Sequence, residues 1–576
     1  MGTENAENGK QRKKIETFDD ILPYIGGAGR YQWLLFVLLL PFSIVYACLY
    51  FTQIFITLLP NEYWCRVPEL DGWNLTERER IYFSIPNASA NELAIDPTVP
   101  YSKCLVYDVN FTQYLIEKKT PDATWPVKPC QTWSFNYSTV PYASIAAELE
   151  WVCDKAYYSS VAQTLFFVGS IIGGFVFGYV ADHHGRLPAL IACNTVALLG
   201  SIATSFSNSF WSFCLCRLFV GTAFDNCFNI LFIIVIEYVD PKRRTFMVNM
   251  SFGFYFAAST SLLPWIAYYV ADWRLLSWIT ATPAVIVFAG PWIIPESARW
   301  YITNGKITQA LKMLKKFERV NGMTVEKEIY DEFEQSCNET LKNDTSYSND
   351  TVLSLFKKPR LAYLMVMLII YWLLIIVVFD GSVWNMKLLH PDIFTSFSLA
   401  ALTVLPSSIM LTLFLDKWGR RWMGFFSMLL CGVFSFIALA TPTGSVTVAM
   451  GIIARFGVTI AASIGFQYVA EMLPTVARAQ GVSLIHNIGY LAHMIGPYIV
   501  YLSEVSSSLP LTVLGLLSII VAVQALSLPE TLGQDLPQTL EDGNDFGREQ
   551  NFWWVPCMSS SSEKKKKYQK RKISGT

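Results

Sequence analysis

The sequence predicts an all-α membrane protein of twelve transmembrane helices in two pseudo-symmetric six-helix halves, and three observations carry that prediction. The chain is 53% hydrophobic and only 15% charged, a balance suited to lipid rather than water as the solvent. Its apolar residues gather in windows of roughly 20 or more, enough at about 1.5 Å per residue to cross about 30 Å of hydrocarbon. A set of motif residues also recurs at a constant offset along the chain. Helices are required over open strands because lipid leaves unpaired backbone groups unsatisfied.

In chain order the windows lie near 32–57, 155–181, 187–207, 210–238, 244–269 and 273–294, then 361–385, 393–415, 421–441, 445–470, 480–502 and 508–528. The start, MGTENAENGKQRKK, is polar and does not read as a cleavable signal, so the first helix is expected to remain. Lys and Arg set the orientation, because positive loops stay in the cytoplasm. Arg12, Lys13 and Lys14, then Arg186, then Lys242, Arg243 and Arg244, then Lys417, Arg420 and Arg421 fall on one side by parity. Both termini are therefore expected in the cytoplasm of a cell whose plasma membrane the chain spans.

That parity divides the chain into a cytoplasmic N-terminus (1–31), a first half (32–294) containing an external loop (58–154), a cytoplasmic central loop (295–360), a second half (361–528) and a cytoplasmic tail (529–576). The external loop carries the glycosylation sequons of Asn74, Asn87, Asn110 and Asn136. It also carries Cys65, Cys104, Cys130 and Cys153, which predict two disulfides with three possible pairings. Sequons at Asn338, Asn343 and Asn349 fall inside by the same parity and should be unused. Cys337 and Cys557 lie in segments expected to stay reduced.

The repeat is read from spacing. Asp182, Gly185 and Arg186 in ADHHGR return as Asp416, Gly419 and Arg420 in LDKWGR, an offset of 234 residues. The same offset takes Glu237 to Glu471, Arg244 to Arg478, and Pro295 and Glu296 to Pro529 and Glu530. Two halves related by an axis along the membrane normal produce such a pattern. Charges repeated at helix ends read as a conformational latch that would hold one half against the other in the outward-facing state. Anchoring of the helix ends alone is the plainer alternative.

The run GYVADHHGR resembles a signature of the major facilitator superfamily. PESARWYITNGK, PETLGQDLPQTLEDG and CDKAYYSSVAQTLFFVGSIIGG, with the long cysteine-bearing external loop, are similar to its organic cation, organic anion and carnitine transporter family. The resemblance implies the major facilitator fold, alternating access and a small ionic solute.

An ionisable side chain inside a membrane needs a cavity or a partner. Asp225, near the middle of the fourth helix with Asn229 one turn on, stands where the family often has Lys, which favours a solute with a positive group; a structural salt bridge is the alternative. Asp380, expected within about six residues of the outer end of the seventh helix, stands where the family usually has Tyr, and reads as part of a negative vestibule or as a solvated interfacial charge. Trp384, one turn further, suits cation-π attraction. Phe228 and Phe232 match aromatic contact positions of the cation carriers, with packing as the alternative. Tyr490 replaces the Asp or Arg often found at its family position. His486 and His493, two turns apart, read as a titratable pair or as packed rings.

No phosphate-binding loop, metal-ligand spacing or catalytic constellation stands out, so neither a cofactor, a metal nor an enzyme is expected. The basic run EKKKKYQKRK suits an anionic inner leaflet or a solvated tail. The expected solute is a small organic cation or an amine-bearing zwitterion of the biogenic amine, amino-acid conjugate, carnitine or β-alanine type. Arg455 supports an organic anion exchanger as the second reading, and a non-transporting receptor on a carrier fold is the third.

Topology yields a direct test. Glycosidase should shift the mobility of the intact protein, and replacing Asn74, Asn87, Asn110 and Asn136 together should abolish the shift. A residual shift traced to Asn338, Asn343 or Asn349 would overturn the parity.

Overall fold

The computed structural model describes residues 18–27, 29–89, 92–93, 99–117, 120–240, 243, 246–247, 250–343, 352–389, 392–441, 444–474, 477–534, 537, 539–548, 550 and 554. Arg12, Lys13, Lys14, Lys242, Arg244, Asn349, Cys557 and the basic C-terminal run lie outside the described residues.

Twelve helical spans follow the twelve windows. The first six are Arg30–Ile56, Tyr158–His183, Arg186–Thr204, Phe210–Phe224 with Asn226–Glu237, Ser251–Phe256 with Ala257–Val270, and Trp273–Ala281 running on through Thr282–Ala289 and Gly290–Ile293. The second six are Pro359–Leu389, Ile393–Leu402 with Val404–Trp418, Arg420–Ala440, Ser445–Met472, Arg478–Tyr501 and Leu509–Ser527. Among the described residues, ten helices are long and apolar enough to cross a membrane on those grounds alone. The fifth span is not among them, because a π-helical turn precedes its 14 residues of regular α-helix. The eleventh is not either, as it carries Arg478, Gln480, His486, Asn487 and His493.

Each half has its own apolar core. One buried cluster draws on residues from Phe18 to Cys337 and takes in Val383, Trp384, Phe394, Phe397 and Val500 from the second half. The other lies between Leu355 and Phe546. With no hydrophobic drive between helices in lipid, close backbone approach supplies the attraction. A Cβ on Gly173 of the second span would sit 1.8 Å from the Thr222 carbonyl oxygen of the fourth. Any side chain there would force the two helices apart.

The repeated motif residues build the same cap twice. Gly185 (φ +108°) and Gly419 (φ +83°) turn the chain into the third helix of each half in backbone conformations that disfavour side chains. Into that turn comes a glutamate from beyond the sixth helix. Glu296 accepts from the amides of Arg186 (2.8 Å), Leu187 (3.0 Å) and Ser297 (2.9 Å). Glu530 accepts likewise from Arg420 (2.9 Å), Arg421 (3.0 Å) and Thr531 (3.0 Å). A carboxylate on free amides at a helix N-terminus satisfies donors and macrodipole together. Glu237 accepts from the Ser297 hydroxyl and Glu471 from the Thr531 hydroxyl at 2.5 Å. Arg186 pairs with Asp182 at 2.8 Å, and Arg420 pairs with Asp416 at 3.0 Å and Glu471 at 2.8 Å. Arg478 donates to the Leu473 carbonyl at 3.0 Å.

In this conformation these bonds run within a half, and none of them joins one half to the other. The conformation gives the reason, because the halves meet at the opposite end. The Ser160 hydroxyl donates to the Pro497 carbonyl at 3.4 Å, and that of Ser398 to the Ser261 carbonyl at 2.9 Å. Phe55 stacks on Phe394 at 6.0 Å and Phe51 meets Phe397 edge-on at 5.4 Å. All of these lie toward the helix ends that border the 58–154 segment.

Much of that segment gathers round a small apolar core of its own, with Trp64, Leu70, Val106 and Phe111 buried in it. Disulfides Cys65–Cys130 and Cys104–Cys153 select one of the three pairings. They tie strand Tyr63–Cys65, paired with Trp133–Phe135, to a second ribbon of Leu105–Tyr107 with Val127–Pro129. Asn74, Asn87 and Asn110 are exposed, while Asn136 is half-buried and donates to Glu62 at 2.8 Å. The central segment docks on the first half through helices Ala298–Thr303, Ile307–Asn321 and Lys327–Asn343. There the Asn321 side chain accepts from the Tyr31 amide at 2.9 Å and donates to Gln32 at 3.0 Å.

The caps predict unequal roles for neighbouring acids. Glu296→Ala strands three amides and is expected to cost roughly 3 kcal/mol or more, seen as a lower melting temperature of the purified protein. Asp182→Asn removes a partner that is 70% exposed and is expected to cost less than about 1 kcal/mol. Equal losses would refute the capping role of Glu296.

Candidate functional site

The two halves also meet in the interior, around two carboxylates. Asp380 is fully buried, nine residues before the end of Pro359–Leu389. The expected interfacial, solvated position is therefore corrected, because the seventh helix continues past the window that hydropathy marked. Its Oδ1 accepts from the Tyr50 hydroxyl of the first helix at 2.7 Å. Its Oδ2 meets the Nδ1 of His493 from the eleventh. Arg455 of the tenth helix lies within electrostatic reach. The guanidinium rests over the Phe379 ring at 3.8 Å and donates to the Phe379 carbonyl at 2.5 Å and the Ser382 hydroxyl at 2.8 Å. A buried carboxylate held by a hydroxyl, an imidazole and a nearby guanidinium meets the condition under which charge is tolerated inside a fold.

Asp225 is treated differently. It sits at the junction of Phe210–Phe224 and Asn226–Glu237, with helical backbone angles that carry the chain through. Its polar neighbours are Tyr490 and Asn229, and His493 is in electrostatic reach. Among the described residues no Lys or Arg pairs with it, so the salt-bridge alternative has no partner there. Tyr46 of the first helix lies within reach of both carboxylates. It stacks on Phe224 at 4.7 Å and packs against Phe228 at 5.6 Å.

The other expected residues divide by environment. His493 stacks on Phe167 at 4.8 Å and on Tyr490 at 5.8 Å, inside this group. His486 instead packs against Trp372 at 4.8 Å and Phe466 at 4.6 Å in the second half, so the two histidines do not form a titratable pair. Seven residues of helix span about 10 Å, which separates side chains on one face. Phe228 is buried and stacks on the half-buried Phe232 at 5.4 Å. Trp384 is buried in the core of the first half. Tyr50, Tyr46 and Phe167 were missed, since a search for ionisable residues passes over tyrosine and phenylalanine in an aromatic-rich span. Arg217 of the fourth helix is also buried, and it donates to Gln53 at 2.7 Å and the Leu49 carbonyl at 3.0 Å.

Twelve spans in two pseudo-symmetric halves, with charged side chains buried where the halves meet, define a multi-pass membrane transporter of the major facilitator class. Residues 107–541 match the family described as Sugar (and other) transporter. The chain belongs to that family, and within it to the organic cation, organic anion and carnitine carriers. It is 32% identical to the carcinine transporter of Drosophila melanogaster over 93% of this chain and 80% of that one. To the β-alanine transporter of the same species it is 30% identical, over 91% and 89%. In fold it is similar to the proton:xylose symporter XylE, with a TM-score of 0.55 and 15% identity over 90% of this chain and 99% of that one.

The Asp380 cluster predicts a compensated double variant. Asp380→Asn leaves Arg455 buried without its opposite charge and is expected to destabilise the protein by roughly 3–5 kcal/mol. Asp380→Asn combined with Arg455→Leu should recover much of that loss, measured as thermal stability in detergent. A double variant as unstable as the sum of the singles would show that the two charges are independent.

Proposed function

We propose that the protein carries a small organic cation or an amine-bearing zwitterion across the plasma membrane by alternating access, as a secondary active or facilitative transporter. One observation carries the reading: among the described residues, Asp225 is a half-buried carboxylate inside the bundle whose side-chain neighbours include no Lys or Arg. Asp380, by contrast, already has His493 and Arg455. A solute ammonium completes Asp225, with Asn229 and Tyr490 as hydrogen-bonding partners and the Tyr46, Phe228 and Phe232 rings beside it. Carcinine and β-alanine, after which two relatives are named, both carry a primary amine and suit that chemistry. Arg455 would have to be released from Asp380, Phe379 and Ser382 to receive an anion, which weighs against the anion-exchanger reading.

In this scheme the N-terminus, the 295–360 segment and the tail are cytoplasmic and 58–154 is external. The halves 32–294 and 361–528 rock about the site, and the motif charges of Asp182, Arg186, Asp416 and Arg420 latch the cytoplasmic ends when the outer end opens.

A carboxylate about 4 Å from an ammonium at an intermediate dielectric contributes on the order of 4 kcal/mol before desolvation. Asp225→Asn is therefore expected to weaken apparent affinity at least about tenfold, or about 1.4 kcal/mol, with nearly unchanged surface amount. Uptake of labelled cations, zwitterions and anions, with surface protein measured in the same cells, tests this. Unaltered uptake across a concentration series would remove Asp225 from the site, and ligand binding without saturable flux would favour a receptor.

A further inference from the structure

The two carboxylates share one titratable partner, and that arrangement carries a consequence for coupling. We propose that the protein exchanges its organic cation for a proton held at His493. The inference rests on the reading of Asp225 as the site of the solute cation.

The groups that face His493 come from its own helix and five others. Asp380 of the seventh is bonded to its Nδ1, Asp225 of the fourth is in electrostatic reach, and Tyr490 lies one turn back on its own helix. Arg455 of the tenth and Tyr50 and Tyr46 of the first complete the set through Asp380. Phe167 of the second closes one face of the ring and brings no charge. Of the fixed charges, Arg455 offsets Asp380, which leaves the negative Asp225 to be balanced.

Two agents are able to balance it. In the empty site a proton on His493 makes the cluster neutral. When a monovalent cation reaches Asp225, keeping that proton would leave a net positive charge in a partly buried site beside the fully buried Asp380, where an uncompensated charge is costly. Cation and proton therefore exclude one another, and each turnover moves one cation one way and one proton the other, with no net charge transferred. The Tyr50 bond to Asp380 crosses between the halves. The state of the Asp380–His493 pair is thus linked to a contact that must break when the outer end opens. Reciprocal binding of two ligands to one alternating site is what obligatory exchange requires.

Proteoliposomes and radiolabelled tetraethylammonium test the proposal, because a permanent cation is not trapped by protonation in an acidic lumen. With the lumen about one pH unit more acidic than the bath, one-for-one exchange drives accumulation toward about tenfold. The lumen should become more alkaline as label enters, and a potassium diffusion potential should not alter the final ratio. Accumulation that follows the potential and ignores the pH gradient would overturn the proposal while leaving the cation reading intact. Absence of tetraethylammonium counterflow at symmetrical pH in the unaltered protein would overturn both. His493→Gln retains a hydrogen-bond donor for Asp380 but not the titratable ring. Its ratio of accumulation with the gradient to that without should fall to about one, and full pH-driven accumulation in this variant would overturn the assignment to His493. The measurements on the unaltered protein decide the matter even if the variant fails to fold.

Discussion

A charge surrounded by hydrocarbon must be matched locally, and the interior of this protein is organised by how that condition is met at Asp380. The carboxylate is fully buried, so its hydrogen-bonding capacity has to be filled by side chains brought from other helices. Tyr50 comes from the first helix, His493 from the eleventh, and Arg455 stands nearby on the tenth. Satisfying one residue thereby fixes the relative placement of three spans against the seventh. It also places one bond across the boundary between the halves.

The same requirement explains why Asp225 differs. It occupies a comparable interior position, yet its neighbours are a phenol, an amide and an imidazole. Among the described residues no Lys or Arg pairs with it, so it lacks the permanent counter-charge that Asp380 has nearby in Arg455. Aromatic rings around Tyr46 and Phe228 add apolar walls on that side of the interior.

Around this interior, each half is tied internally at the corner where its third helix begins. Glu296 and Glu530 cap the third helix of their own half from beyond the sixth, which joins the early and late parts of that half. Contacts between halves gather instead near the 58–154 segment, through paired aromatic rings and two hydroxyl-to-carbonyl bonds.

The sequence by itself determined the class of protein, the twelve spans, the two-fold repeat and the presence of ionisable residues inside the bundle. Those properties are local or periodic: hydropathy over one window, charge in a loop, a motif returning at a fixed offset. It also singled out Asp225, because a carboxylate within an apolar window is visible without any neighbour. Tertiary structure alone decided what those residues touch. His486 and His493 share a helix face in the sequence, yet one packs between Trp372 and Phe466 and the other meets Asp380, since different helices cover successive turns. The disulfide pairing was open among three choices until the strands of the 58–154 segment brought Cys65 to Cys130 and Cys104 to Cys153. The motif charges were legible as a repeated set, but whether they bond within a half or across halves depends on which end of the bundle is closed. That is a property of the packed conformation, and no spacing along the chain records it.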